Sequence, residues 1–371
     1  MRALLGAGLL SLACAAGAAA AGVVQTHAGR LTGHVTARAG GLTVGDKAAV
    51  TDEILFAIFD APGRTFRPPN TVRMTNGEVW HCEVLALAGG KLKLRSPHFG
   101  TKEVDRRGVQ ALEFQAKLPP DDDLEADTLY RASGEPLPGS LLWVSPTQVA
   151  IDSPLGAMAM DRSEATRFLL TKATRSAEAA DKAVAVLRDG TVLRGELKLA
   201  AGRVLLKHET LGELSLPVKA VRSFLRHAPG VIYLTDLALS ATAAPLLDAT
   251  PSIRTVQDRR AGEVPAPAEC VRCLTIHPAT KLTVRLPAKP AGPRTFRATL
   301  AAAAGARGGV RLRLSAGGKT LLDRAIPASQ AAGACISADL PGREVDIEVD
   351  FDEPVRFPCG IVLGDPHVVG K

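Results

Sequence analysis

The chain has 371 residues, of which 46% are hydrophobic, 22% charged and 4% aromatic, with a formal charge of +7. That is the composition of an ordinary folded protein, and its length fits two or three domains. Only six cysteines are present, which excludes a disulfide-dense miniprotein, and the few rings argue against a function built on many stacking platforms. Met1-Arg2 opens the chain, and an uncharged run from Ala3 to Gly22 follows. A basic start, a Leu-rich core and a small-residue A-x-A end are the parts of a secretory signal peptide, expected over residues 1–21 with cleavage after Ala20 or Ala21. Two other readings stay open. One is an uncleaved anchor, since about 20 apolar residues just span a bilayer. The other is a lipoprotein modified at Cys14, although Leu12 sits one place too close to that cysteine. Export implies a periplasmic, secreted or cell-surface protein in an oxidising compartment, with no nucleic-acid partner and no membrane span once the leader is removed.

The middle of the chain repeats itself. Asn76–Phe114, Ser133–Leu170 and Asp189–Leu225 align, with turn glycines at Gly77, Gly134 and Gly190. Phe99-Gly100, Leu155-Gly156 and Leu211-Gly212 recur 56 residues apart, as do Leu112, Phe168 and Phe224. Each copy reads as a strand, a tight turn (Asn-Gly or Asp-Gly in the first and third copies), three further short strands and a closing apolar segment. Four or five short strands in about 40 residues bury a core by curling into a small barrel. The expected units are 67–117, 124–172 and 182–228, with a partial β repeat over 22–66. The order of glycines and strands in each unit resembles the Sm-like and SH3-like small barrels, which implies the fold type alone. Between units lie polar linkers. Asp121, Asp122 and Asp123 follow Pro119-Pro120 without a histidine nearby, which reads as a solvated linker rather than a metal or acid–base site.

From about residue 229 the period stops and different strands begin. Leu282, Val284 and Leu286 alternate with Lys281, Thr283 and Arg285. Val310, Leu312 and Leu314 alternate with Arg311 and Arg313. Val345, Ile347, Val349 and Phe351 share one face of a strand whose other face carries Glu344, Asp346, Glu348, Asp350 and Asp352. One core face and one solvent face is the mark of an antiparallel sandwich. The acidic row is expected opposite the Lys281, Arg285, Arg311 and Arg313 rows. Tyr233-Leu234-Thr235-Asp236, Leu274-Thr275-Ile276-His277-Pro278, Phe296-Arg297-Ala298 and the hairpin from Val310 to Lys319 together resemble the NPCBM domain, a family of carbohydrate-binding modules. The resemblance covers about 140 residues, 229–371, and implies a jelly-roll-like β-sandwich. Tyr233, Asp236 and His277 are the ligand-binding candidates in it, with a satisfied structural role the better reading of His277, since the eight histidines show no H-x-H or H-E-x-x-H spacing. The family's acidic residue and closing Asp-Trp segment are absent here, and a sugar ring wants an aromatic face with convergent polar groups. The domain offers Tyr233, Phe296, Phe351 and Phe357.

Cys270, Cys273, Cys335 and Cys359 lie in this last domain. Export favours two disulfides with three possible connectivities; a zinc site and free buried thiols are the alternatives, and the wide spacing of the second pair weakens zinc. Cys82 has no partner in its own repeat. No phosphate loop, nucleophile elbow or paired-carboxylate cleft is present, so no catalytic residue, metal ligand or cofactor is assigned. The expectation is a mostly β protein of tandem small-barrel repeats and a sandwich, acting as an exported non-enzymatic binding or scaffold protein. Its partners would be glycan, a cell-surface polymer or proteins. The alternative is an accessory or catalytic component of a secreted glycan-degrading hydrolase system.

Overall fold

The computed structural model describes residues 22–59, 67–115, 127–133, 135–170, 182–228, 230–237, 239–243, 253–256, 270, 272–288, 292–303, 305–330, 333–352 and 356–370. The expected leader and the Asp121–Asp123 linker lie outside the described residues. The chain is almost entirely antiparallel β, as four short-strand repeats followed by two facing sheets.

All four repeats use one plan. The second holds β7 (Asn70–Met74), β8 (Val79–Ala88), β9 (Lys91–Ser96), β10 (Gly100–Asp105) and β11 (Val109–Glu113). The third holds β12 (Thr128–Arg131), β13 (Pro136–Pro138), β14 (Ser140–Val144), β15 (Gln148–Ser153), β16 (Gly156–Asp161) and β17 (Ala165–Leu169). The fourth holds β18 (Ala183–Leu187), β19 (Val192–Ala200), β20 (Arg203–His208), β21 (Gly212–Pro217) and β22 (Val221–Leu225). In each, a single 3-10 turn precedes the last strand, at Arg106–Gly108, Arg162–Glu164 and Val218–Ala220. The last strand then returns to pair with the first, as β22 does with β18. β8 pairs with β7 through its first half and with β9 through its second, so one bent strand serves two sheets. The pairing curls each unit without closing it: among the described residues the strand before the 3-10 turn pairs only with its hairpin neighbour.

The segment expected as a partial repeat carries every element in shortened form. β1 (Gly22–Thr26), β2 (Arg30–Gly33), β3 (Val35–Arg38), β4 (Gly41–Val44), β5 (Lys47–Val50), a 3-10 turn at Thr51–Glu53 and β6 (Ile54–Ile58) follow the same order. Its strands are four or five residues long and its first turn lacks the Asn-Gly or Asp-Gly pair, which hides it from the 56-residue alignment.

The recurring closing residues join repeats to one another. β11 and β17 pair antiparallel, placing Leu112 opposite Phe168, and β22 pairs with β6, placing Phe224 opposite Ala57. These residues are 0–1% exposed. Repeat two is thus bound to repeat three, and repeat four to repeat one. A Val79–Val192 bridge between β8 and β19 ties the two couples together.

Where the bent strand leaves its first partner, a glycine is required by close approach. A Cβ on Gly195 would lie 2.5 Å from the carbonyl oxygen of Lys207, and one on Gly139 would lie 2.6 Å from that of Asp152. Gly195→Ala is expected to cost about 1–3 kcal/mol through backbone displacement. The readout is the urea midpoint followed by tryptophan fluorescence, since Trp80 and Trp143 both lie in the repeats. An unchanged midpoint would mean that β20 yields freely.

The C-terminal domain packs two sheets face to face. One contains β25 (Ile253–Val256), β26 (Cys273–Ile276), β33 (Ile361–Gly370), β28 (Arg294–Ala302) and β31 (Ala334–Leu340), with β23 (Val231–Tyr233) beside β33. The other contains β24 (Ser240–Ala243), β27 (Thr280–Arg285), β32 (Glu344–Phe351), β29 (Val310–Ala316) and β30 (Lys319–Ile326). Leu282, Val284, Leu312, Leu314, Val345, Ile347 and Val349 fill the core between them. The polar faces align as the alternation requires: Lys281 meets Asp346 at 2.9 Å, Arg285 meets Glu344 at 3.2 Å and Arg313 meets Glu348 at 3.1 Å. Arg311 instead pairs with Asp323 of the β29–β30 hairpin at 2.7 Å. Such exposed pairs each contribute little to stability.

Candidate functional site

A set of buried ionisable groups sits at the seam between repeats two and four. Glu78 follows the Asn76-Gly77 turn, and Thr191 follows the Asp189-Gly190 turn in the equivalent place. Glu78 Oε2 accepts hydrogen bonds from Trp80 Nε1 and His208 Nε2, each at 3.0 Å, and its Oε1 accepts the backbone N–H of Arg194. The reciprocal contact is Thr191 Oγ1, which accepts the backbone N–H of His81 at 3.1 Å. His208 Nδ1 accepts the N–H groups of Thr210 and Leu211, so its Nε2 carries the proton donated to Glu78. His98 of repeat two reaches Asp189 of repeat four at 2.8 Å. Burial pushes the Asp189 carboxyl up, but hydrogen bonds from His98 and Thr191 outweigh it and hold the group below its ordinary value. Both carboxylate side chains are fully buried. They are cross-braces between repeats, with no cleft for a substrate. Periodicity marked both turns, but nothing in one copy reveals a histidine of another.

Tyr233 and Asp236 meet on the Arg272 guanidinium, while His277 makes a separate contact with the Cys359 carbonyl. Tyr233 is 1% exposed, wedged between His227 and His367 with the Arg272 guanidinium over its ring at 5.0 Å. Its hydroxyl donates to the Arg226 carbonyl, and burial pushes its pKa up strongly. Buried there, it braces the repeats against the sandwich and offers no face to a ligand. Asp236 is held by Arg272 at 2.7 Å. His277 Nδ1 lies 3.1 Å from the Cys359 carbonyl oxygen. Cys335 and Cys359 carry free thiols, Cys335 exposed and Cys359 buried, while Cys270 and Cys273 share a buried cluster with Val362. Cys82 is also free and buried, and burial pushes its thiol up to about 12. Among the described residues no group of three or more His, Cys, Asp or Glu is placed to hold a metal ion.

One exposed aromatic stands at the end of the sandwich. Phe357 is 53% exposed and packs edge-on against half-buried Phe351, ring centroids 5.5 Å apart. Asp352 and exposed Arg356 lie on the same stretch of chain, and the Cys359 carbonyl ties it to His277. Arg307, also exposed, joins this end by donating its backbone N–H to the Pro358 carbonyl. Of the four aromatics the sequence offered in this domain, this is the most exposed.

No helix among the described residues is long and apolar enough to cross a membrane. No protein-family description matches the chain, and no curated protein matches it. Among solved structures, weak likenesses occur to carbohydrate-binding modules. The tandem CBM51 modules of Sp3GH98, the family 98 glycoside hydrolase from Streptococcus pneumoniae, are 10% identical with a TM-score of 0.32, covering 91% of this chain and 88% of that one. The CBM51 of Clostridium perfringens GH95, in complex with methyl-galactose, is 10% identical with a TM-score of 0.29, covering 38% of this chain and 99% of that one. The CBM51-2 and INT domains of Clostridium perfringens ZmpB, with GlcNAc, are 12% identical with a TM-score of 0.31, covering 45% of this chain; the match spans 36% of that chain.

Proposed function

We propose that the chain is an exported, non-enzymatic binding and scaffold protein of the periplasm, the cell surface or the medium, and that it holds glycan at the free end of its sandwich. The observation that carries this reading is Phe357, an exposed ring braced by Phe351, with Asp352 next to Phe351 and Arg356 next to Phe357 in the chain. A sugar needs an apolar face for its ring and charged or polar groups for its hydroxyls, and this end supplies both. The signal-peptide pattern of residues 1–21 and the NPCBM resemblance of residues 229–371 support the reading. So does the fate of the buried carboxylates and histidines, which brace repeats to one another. The repeats, similar in plan to Sm-like and SH3-like barrels, supply a rigid platform.

The test is a glycan array, including cell-wall fragments, probed with residues 22–371 and with Phe357→Ala. Because Phe357 is exposed, the variant should keep its unfolding midpoint and lose at least tenfold in retention, consistent with about 1–3 kcal/mol for a ring stacked on an apolar partner. Equal retention by variant and parent would remove Phe357 from the site. A silent array from the folded chain would overturn the glycan reading.

A further inference from the structure

A second site lies away from the sandwich end, where the first repeat meets the outer face of β28, β31 and β33. A cavity of about 290 Å³ opens there between the His27–Arg30 turn and the sheet. Two rows of side chains floor it. Ser337, Arg297 and His367 lie opposite one another in adjacent strands, and Cys335, Thr299 and Gly364 form the next row. Arg30 reaches in from the first repeat, donating through Nη1 to Thr299 Oγ1 at 3.0 Å and approaching Cys335 Sγ at 3.3 Å. Arg297 reaches the other way, donating to the His27 carbonyl at 3.0 Å. Each guanidinium has five N–H donors and spends only part of that capacity on these contacts.

His367 sets the other requirement. It lines the cavity and is 3% exposed. Its Nδ1 is 2.7 Å from the Asp365 carbonyl oxygen, which can only accept, so Nδ1 carries the proton and Nε2 the lone pair. That Nε2 is buried and has no hydrogen-bond partner. An orphaned buried acceptor is costly unless a ligand or water meets it. Asp365 also borders the cavity, but its Oδ1 accepts the backbone N–H of Arg272 at 2.7 Å.

We propose that this cavity binds a hydroxy-carboxylate the size of one sugar ring, an acidic sugar, with its carboxylate toward Arg30 and Arg297 and a hydroxyl donating to His367 Nε2. Two guanidiniums call for negative charge. The lone pair calls for an O–H donor, which sulfate lacks, and a neutral sugar leaves the guanidiniums without a counter-charge. The hydroxyls of Thr299 and Ser337 can turn to donate or accept for the remaining ring oxygens. The site does not depend on Phe357, so the two readings fail separately.

The experiment uses residues 22–371 with D-glucuronate, D-glucose and sulfate as probes, at neutral pH. Nitrogen chemical shifts of the His367 ring are followed by NMR, and affinity by calorimetry. D-glucuronate is expected to shift the Nε2 resonance and to bind at least tenfold more tightly than D-glucose. Sulfate should leave that resonance in place. Arg297→Gln should weaken D-glucuronate at least tenfold; because that change also removes the His27 contact, the parent's Nε2 shift stands as the measurement that needs no variant. Equal binding of glucose and glucuronate, an Nε2 shift with sulfate, or no response to glucuronate at millimolar concentration would each overturn the proposal. Loss of glycan retention in Phe357→Ala with an intact glucuronate response would leave it standing.

Discussion

Glu78→Ala should lower the stability of the repeats by about 3–5 kcal/mol, the cost of leaving three buried donors without their acceptor at about 1–3 kcal/mol each. The carboxylate accepts from the Trp80 indole, the His208 ring and the Arg194 backbone, and its side chain is fully buried. Alanine leaves three donors from two repeats facing a dry gap. Glu78→Gln keeps an oxygen that can accept but brings a donor NH2 against other donors, so a smaller loss of about 1–3 kcal/mol is expected. The measurement is urea unfolding followed by tryptophan fluorescence, which reports the repeats alone. A double change with His208→Ala should be less than additive, because the two side chains share one contact. A Glu78→Ala midpoint within the range of an exposed substitution would mean that water enters the seam and replaces the carboxylate.

Acidification from pH 7 to 4 should destabilise the protein well before its carboxylates titrate. Burial, with Arg67, Arg73 and His98 adding to it and Asp189 opposing, lowers His81 to about 4. Burial also lowers His367 to about 4, helped by Arg297 and His27 and opposed by the hydrogen bond to Asp365. Unfolded histidine titrates near 6.5, so below that pH the unfolded chain takes up protons that the folded chain refuses. Stability therefore falls between about pH 6.5 and 4, by up to roughly 3 kcal/mol for each ring. Asp189 behaves oppositely: its folded pKa is depressed, so its contribution is complete above the ordinary aspartate value and is lost only at still lower pH. Urea midpoints at pH 7, 5.5 and 4 read the slope. His81→Gln, which retains a side chain able to bond Thr71, should remove part of it. A flat profile down to pH 4.5 would show that both rings stay solvated enough to titrate normally.

What could be read from the residues alone follows from which contacts are local. Alternation in Glu344–Asp352 determined its two faces because strand geometry repeats every second residue, and Val345, Ile347 and Val349 lie in the core accordingly. The 56-residue spacing of Leu112, Phe168 and Phe224 marked equivalent positions, yet it could not say that Leu112 faces Phe168 while Phe224 faces Ala57. Pairing between repeats is a choice among equally patterned edges, and the pattern is silent on which edge is taken. The first repeat was legible only as a partial one, because its strands are short and its turn lacks the usual dipeptide. The burial of Tyr233 was illegible for a different reason. An aromatic in a binding-module motif reads as a platform until the repeats are seen to cover it, and here Tyr233 packs against His227 and in one cluster with Leu55, Phe56 and Val184 of the repeats. His367 and Phe357 carried no motif at all; burial of one and exposure of the other gave them their roles.

The nesting of repeat one with four around repeat two with three sets an order of events during synthesis. A ribosome delivers β6 long before β22, so the first repeat emerges with its closing edge unmatched and must wait for the fourth. Repeats two and three find each other sooner. Long-range strand pairing is slow, and an unmatched edge is open to wrong partners while it waits. The inner couple is therefore the natural nucleus, and a chain stopped before residue 221 would hold that couple folded with the first repeat's edge bare.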